Sequence, residues 1–467
     1  MNWTIQQILE ATEGQLVRGN PALPVSGISI DSRKIGSEEA FIAIQGPRFD
    51  GHQFIEEAAK RGASCVVVSR LPESTNGSRL LPMILVEDTT HALGDLARYH
   101  RRRIDPHVIA VTGSCGKTTT KELIAHGLGE GADVLKTTGT QNNQFGVPLT
   151  LLRLQPHHRL AVVECGTNHP GEIAYLASIV EPDISVLTNV GPVHLEFLGS
   201  LMGVLQEKLS LLDALSSDGT AVLPGDQLDV CLEAPRHLMN GVRMVSFGSS
   251  DRCDIQAVHI QRSVRGMTIR LRDQYDQWTL PVVGYHNVEN ALAAVACAWS
   301  IGMPLSRTKE RLLSFAPMPL RSEIVRCEGL TILNDCYNAN PLSFARALET
   351  LRDLEVRRKV AIVGDMLELG SYAPSAHQAI GRLAVQLGID SVIAVGDFAD
   401  EVAQGAREVR HDSVSTCRTV AELMEQLPSL LQEGDGLLIK GSRKLNLEQV
   451  TDFLLQRYRG VDDSISR

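Results

Sequence analysis

The sequence has no surplus of positive charge. It carries 45 Lys and Arg against 55 Asp and Glu, a net charge of −10. A nucleic-acid backbone is therefore excluded as the main partner, although a local basic pocket is compatible with this balance. The run Arg101-Arg-Arg103 reads as the solvated end of a helix. No Cys-x-x-Cys pair occurs among the nine cysteines, and nine is odd. A disulfide framework and a structural zinc site both fall away, and a reducing compartment fits. No uncharged run approaches the length of a membrane span. The start, Met1-Asn-Trp-Thr-Ile5, lacks the basic region and apolar core of a secretory leader. The expectation is a cytoplasmic protein without membrane insertion. His-Glu-x-x-His and Gly-x-Ser-x-Gly are both missing, which removes metalloprotease and α/β-hydrolase readings. There is no internal repeat and no long low-complexity segment.

What is present is a phosphate loop. Val108 to Val111 is a short apolar run that reads as a buried strand. Gly113-Ser-Cys-Gly116 follows as a glycine-rich turn, then Lys117, Thr118 and Thr119 open a helical pattern. Glycines let backbone N–H groups turn inward around phosphate oxygens, and a helix N-terminus adds partial positive charge. In such a loop Lys117 reaches the β- and γ-phosphates, and Thr118 offers its hydroxyl to Mg²⁺. The longer Walker pattern needs a glycine where this chain has Val111. Cys115 within the loop reads as a small spacer.

With 467 residues, 43% of them hydrophobic, the chain calls for two or three domains. Residues 1–88 read as a small mixed α/β domain: a helix over 3–12, strands at 28–30, 41–44 and 65–68, and a helix over 54–62. Residues 71–81 read as a loop. A helix over 90–103 opens a second domain, 89–316. Its strands at 108–111, 160–163, 184–187 and 221–223 alternate with helices, the pattern of a parallel sheet. Residues 242–285 suggest a few antiparallel strands, and 290–299 a buried helix. From 317 to 467, strands at 331–333, 360–363, 392–395 and 437–439 alternate with helices near 343–353, 375–387, 419–431 and 446–458. This is a second doubly wound unit. The fold class is α/β. A central P-loop parallel-sheet domain is flanked by a small N-terminal α/β domain and a C-terminal Rossmann-like domain.

Polar residues at strand ends are candidates for chemistry, because parallel sheets bind ligands at the carboxyl ends of their strands. Glu164 ends one strand and suits Mg²⁺, which takes a few protein oxygens. Alternatively it is a paired structural carboxylate. His194 follows another strand, as a metal ligand or a turn cap. Asn142 and Asn143 can bind a substrate or serve a turn. Asp31, Ser32 and Arg33 belong to a ligand loop or a surface turn. Lys208, on a helix, is by default a solvated charge. Asn290 can cap its helix or point at a nucleotide. Arg321 follows a proline-rich hinge. Asp335, Asn338 and Asn340 cluster at one strand end of the C-terminal unit, and Lys440-Gly-Ser-Arg443 at another, as if lining a crevice.

Taken together these residues resemble the Mur ligases, the ATP-dependent amide ligases of peptidoglycan synthesis. Gly113-Ser-Cys-Gly-Lys-Thr118, Asn142-Asn143, Glu164, His194, Gly284-Tyr-His-Asn-Val-Glu-Asn290, Arg321 and Lys440-Gly-Ser-Arg443 fall in family order across nearly the whole chain. Asp31-Ser-Arg33, Arg48-Phe-Asp-Gly-His52, Asn168-His-Pro-Gly-Glu-Ile173 and Asp335-Cys-Tyr-Asn-Ala-Asn-Pro341 point to members that add D-alanyl-D-alanine to UDP-N-acetylmuramoyl-tripeptide. The Asp-Asn-Pro-Arg signature of the diaminopimelate-adding members is absent. Leu447 stands where a methionine is common, and Cys336 interrupts a familiar Asp-x-Tyr.

The resemblance implies ATP and Mg²⁺ as cofactors and an acyl-phosphate mechanism. It implies that Gly113, Ser114, Gly116, Lys117, Thr118, Thr119, Asn290, Arg321 and Asp335 bind ATP. Thr118, Glu164, His194 and Lys208 would serve metal, Lys208 after carbamylation, and Lys117, Lys208 and His194 would act in catalysis. Asp31, Ser32 and Arg33 would meet the uridine nucleotide, Asn142 and Asn143 would bind substrate, and Asn338 and Asn340 would face the dipeptide. A monomer active in cell-wall synthesis, and so in cell shape and division, is the implied setting. The competing readings are a related ligase using another amine, and a non-catalytic nucleotide-binding regulator. The regulator reading expects the metal and lysine positions to be lost, and they are present.

Overall fold

The computed structural model of the chain describes residues 3–46, 49–71, 81–129, 131–263, 266–410 and 414–458. Arg48 and most of the expected loop at 71–81 lie outside these residues. The chain divides into two compact units. One comprises Met1–Ala110, Gly129–Thr167 and Glu172–Asp183, and the other Val111–Leu128, Asn168–Gly171 and Ile184–Arg467.

In the first unit a five-stranded sheet runs in the order Gln15–Arg18, Met83–Leu85, Cys65–Val68, Ala40–Ile42, Ile28–Ser29. The first pair is antiparallel and the rest parallel. Cys65–Val68 is buried on both faces, which explains its unbroken apolar run. The first helix is Ile5–Thr12, shorter than the expected 3–12. Thr4 accepts from Gln7 N–H, and the Gln7 side chain accepts from Thr4 N–H, a reciprocal cap that starts the helix there. Trp3–Thr4 instead pairs with Pro24–Val25. Helix Thr89–Ile104 is capped by Asp88 and buries Leu93, Leu96 and Ala97. A parallel pair, Val134–Lys136 with Leu160–Glu164, delivers Glu164 at its end.

In the second unit, strands Trp278–Leu280, Gly266–Leu271, Ile255–Ser263, Arg243–Gly248, Thr220–Pro224 and Ile184–Leu187 lie side by side. Each neighbouring pair among the first three is antiparallel, as expected within 242–285, but Arg243–Gly248 in the same stretch pairs in parallel on both sides, as does Thr220–Pro224 with Ile184–Leu187. Helix Tyr285–Ser300 covers them with a side that is alanine and apolar almost throughout. A six-stranded sheet follows in the order Glu323–Cys327, Leu330–Asn334, Asp435–Lys440, Arg358–Gly364, Ser391–Val395, Val414–Cys417, parallel except for the first pair. Its helices include Pro341–Arg352, Ala373–Gln386, Val420–Leu430 and Glu448–Arg457, near their expected places. Helix Ala399–Arg407 and the two outer strands were not anticipated. Among the described residues, no helix is long and apolar enough to cross a membrane.

Candidate active site

The phosphate loop joins strand His107–Thr112 to helix Lys117–Leu128. Its two glycines are both required. Gly113 has φ +149°, and a Cβ there would lie 1.9 Å from Thr188 Oγ1. Gly116 has φ +80°, and its Cβ would lie 2.4 Å from Asn290 Oδ1. No L side chain fits either position without displacing the floor of the loop.

That floor is the segment Thr188–Gly191. Thr188 Oγ1 donates to the Cys115 carbonyl at 2.6 Å, and Asn189 Oδ1 accepts from Cys115 N–H at 3.0 Å. Ser114 Oγ donates to Gly191 O and accepts from Gly191 N–H, at 3.0 and 2.9 Å. Lys117 folds back, its Nζ donating to Gly113 O at 2.7 Å. Thr118 is buried and Thr119 is half-buried. Asn290 lies beneath the loop: its Oδ1 accepts from Thr120 Oγ1 at 3.1 Å and its Nδ2 donates to Asn287 Oδ1 at 3.1 Å. Thr188, Asn189 and Thr120 had drawn no assignment. The strand-end rule applied to Leu187-Thr-Asn would have found the first two.

Lys208, on helix Leu201–Leu209, is 2% exposed. Burial drives its pKa well below the ordinary lysine range, and the neighbouring Lys117 cation pushes the same way. It is therefore a buried amine biased toward its neutral form, not the solvated charge its helix setting suggests. Glu207 has a different task, its carboxylate accepting from Gly171 N–H at 2.7 Å. His194 follows strand Ile184–Leu187 with a left-handed backbone, φ 52°, and makes no side-chain cap. Its Nδ1 meets Glu368 Oε2 at 2.5 Å. Burial lowers the His194 pKa, and Lys117 and Lys208 lower it further against the opposing hydrogen bond from Glu368. No sequence signal marked Glu368.

The carboxyl ends of strands Leu330–Asn334 and Asp435–Lys440 are rich in polar contacts. Lys440 Nζ donates to Asp335 Oδ2 at 2.5 Å and to Asn338 O at 3.0 Å. Asp335 Oδ1 accepts from Ser322 N–H at 2.8 Å. Arg321 stacks over the Tyr337 ring, 3.9 Å from its centroid. Asn338 Oδ1 accepts from Ala339 N–H. Asn340 caps helix Pro341–Arg352 and donates from Nδ2 to Ser114 O at 3.3 Å, so this polar cluster adjoins the phosphate loop.

In the first unit Glu164 is 1% exposed. Its Oε1 accepts from Asn142 Nδ2 at 2.7 Å, while Oε2 is buried without a partner. A buried carboxylate oxygen left unsatisfied is costly unless a ligand completes it, and a divalent cation does so. Asn143 Oδ1 accepts from Gly146 N–H, opening helix Gly146–Leu151. Asp31 and Arg33 form a two-pronged pair, at 2.9 and 3.0 Å, and Arg33 holds the Asp31 pKa down at about 2. Ser32 donates to Glu57 Oε2 at 2.9 Å. Among the described residues, no three His, Cys, Asp or Glu side chains converge on one point. The expected metal set, built on a hydroxyl, a carboxylate, an imidazole and a modified lysine, does not need such a cluster.

A glycine-cradled loop at a helix N-terminus with a buried amine beside it is the arrangement of an enzyme class that uses a nucleoside triphosphate. Residues 24–101 match the Mur ligase family catalytic domain, 111–298 the Mur ligase middle domain, and 320–443 the Mur ligase glutamate ligase domain. The chain belongs to the Mur ligase family. It is 33% identical to the UDP-N-acetylmuramoyl-tripeptide--D-alanyl-D-alanine ligase of Bacillus subtilis, over 97% of this chain and 98% of that one. A crystal structure of MurF from Acinetobacter baumannii is similar with a TM-score of 0.89 at 32% identity, covering 98% of this chain and 99% of that one. The MurF ligase of Thermotoga maritima, solved in complex with ADP, is similar with a TM-score of 0.82 at 27% identity, covering 92% and 97%.

Proposed function

We propose that this chain is an ATP-dependent amide ligase that joins D-alanyl-D-alanine to UDP-N-acetylmuramoyl-tripeptide. The tripeptide carboxylate oxygen attacks the γ-phosphorus of ATP, ADP departs, and an acyl phosphate remains. The dipeptide amine attacks its carbonyl carbon, the tetrahedral adduct expels phosphate, and the nitrogen loses a proton as the amide forms. Activation replaces a poor leaving group by a good one.

Residues 1–88 are assigned to the uridine nucleotide through Asp31, Ser32 and Arg33, 89–316 to ATP, and 317–467 to the dipeptide through Asn338 and Asn340. Asn142 and Asn143 serve the uridine-linked substrate. Gly113, Ser114, Gly116, Lys117, Thr118 and Thr119 hold the phosphates, with Asn290, Arg321 and Asp335 for the rest of the nucleotide. Two anions must meet, and Lys117 screens their repulsion. Thr118, Glu164, His194 and Lys208 are assigned to Mg²⁺, which when bound neutralises phosphate oxygens and polarises the transferring group. For that role the Lys208 amine adds CO₂ and releases a proton, turning a cation position into an anionic carbamate. Holding the reacting groups in line contributes on the order of 7–11 kcal/mol at best.

The observation that carries this reading is Lys208, a buried amine biased to neutrality beside the phosphate loop. A nucleotide-binding regulator has no use for it. The nine cysteines, all free, fit an enzyme of a reducing compartment such as the cytoplasm. The test is phosphate release with UDP-N-acetylmuramoyl-tripeptide, ATP and Mg²⁺ across candidate amines. D-Alanyl-D-alanine is expected to drive turnover, and turnover with single amino acids alone would sink the assignment.

A further inference from the structure

Glu368 belongs to the loop that leaves strand Arg358–Gly364, and that loop is clamped along its base. Asp365 accepts from the N–H groups of Asp397 and Phe398 and, through its carbonyl, from Ser442 N–H. Met366 N–H donates to His377 Nε2 at 2.8 Å, and Leu367 N–H to Ser442 Oγ at 3.0 Å. At Glu368 the backbone turns left-handed, φ 61°, and its carbonyl accepts from Glu196 N–H at 3.3 Å. His194 is left-handed as well, φ 52°. Non-glycine residues in this region are strained and persist where surroundings over-determine them. Here two such residues face each other, and their side chains meet at 2.5 Å.

The direction of that bond has a consequence. A carboxylate oxygen accepts, so the hydrogen sits on Nδ1 of His194. In the neutral ring Nε2 then carries the lone pair. Histidines that hold metals commonly donate their other N–H to a carboxylate, which fixes tautomer and ring orientation.

We propose that Glu368 is the positioning residue of His194: it orients the ring and selects the tautomer whose Nε2 can bind Mg²⁺. This rests on reading His194 as a metal ligand. Because Glu368 extends from the six-stranded sheet and His194 from the strand Ile184–Leu187, the bond also makes that ligand's orientation depend on how these two parts of the second unit meet.

The test combines Mn²⁺ titration, followed by electron paramagnetic resonance on the full chain with a non-hydrolysable ATP analogue, with ¹⁵N NMR of histidine-labelled protein. His194→Ala identifies the His194 resonance. Wild type is expected to show a protonated Nδ1 and a bare Nε2. Glu368→Gln should keep both tautomer and affinity nearly intact, because its carboxamide oxygen still accepts. Glu368→Ala should lose the tautomer preference and weaken Mn²⁺ about 10–100-fold, with metal-free nucleotide binding unchanged. Wild-type Mn²⁺ affinity in Glu368→Ala would overturn the proposal, as would equal losses in the Gln and Ala variants. If His194→Ala itself binds Mn²⁺ like wild type, the ligand reading fails. If His194→Ala is weak and Glu368→Ala is not, only the positioning role fails.

Discussion

Lys208 and Lys440 are both buried lysines, each 2% exposed, and they live in opposite electrostatic worlds. Lys440, at the end of strand Asp435–Lys440, donates to Asp335 Oδ2, Asp335 O and Asn338 O. It ties two strand ends together. Lys208 has another cation, Lys117, as its strongest Coulombic neighbour, and burial pushes its pKa down. A buried ammonium with its donors satisfied is a strut, whereas a buried amine facing a cation is held in reactive form.

The comparison breaks most visibly at Lys208. Lys208→Ala should reduce turnover by about 10²–10³-fold or more, while the melting temperature holds or rises, because removing a buried amine relieves its desolvation. Short carboxylic acids should restore part of the activity by replacing the carbamate. Wild-type kinetics in Lys208→Ala would end the carbamate assignment.

Lys440→Met should do the opposite and unfold the protein more easily. It strands Asp335 beside Asn338 without its cation, a loss of roughly 3 kcal/mol, at the lower end for buried pairs because the Asp335 side chain remains 16% exposed. Denaturant midpoints at constant m-value measure it. An unchanged midpoint would show that the pair contributes specificity rather than stability.

A pH titration sharpens the contrast at a third site, a half-buried imidazole kept neutral by its surroundings. His286 donates to or accepts from Ser322 Oγ at 3.1 Å, and burial lowers its pKa to about 4. The unfolded chain binds that proton from about 6.5 downward and the folded chain does not. Stability should therefore fall as pH drops from about 6.5 toward 4, by at most about 3 kcal/mol, and His286→Asn should flatten the slope. A slope identical in the variant would assign the acid sensitivity to other groups.

The smallest effect is expected at Arg33, which lies at the surface with Asp31. Arg33→Ala should raise KM for the uridine-linked substrate and leave kcat and the melting temperature unchanged. A fall in kcat alone would remove these residues from substrate binding.

Much of this was legible in the sequence because it is local. The phosphate loop announces itself by glycines that contact geometry then makes obligatory, and Glu164 by its place after a buried apolar run. The interior strands at 360–363 and 437–439 read clearly because both their faces are covered. Strands Glu323–Cys327 and Val414–Cys417 escaped notice: they sit at the two edges of their sheet, where half-exposed side chains dilute the apolar signal. The job of Asn290 beneath the loop depends on Thr120, 170 positions away in sequence, and that of Glu368 on His194, 174 away. No window of sequence carries such pairings. Lys208 misled for a related reason: a lysine on a helix is a surface charge until tertiary packing buries it.

The most direct measurement is ¹³C NMR of the full chain equilibrated with ¹³C-bicarbonate. The account predicts a carbamate carbonyl signal in the active wild-type protein that disappears in Lys208→Ala. An active wild-type protein with no such signal would contradict it.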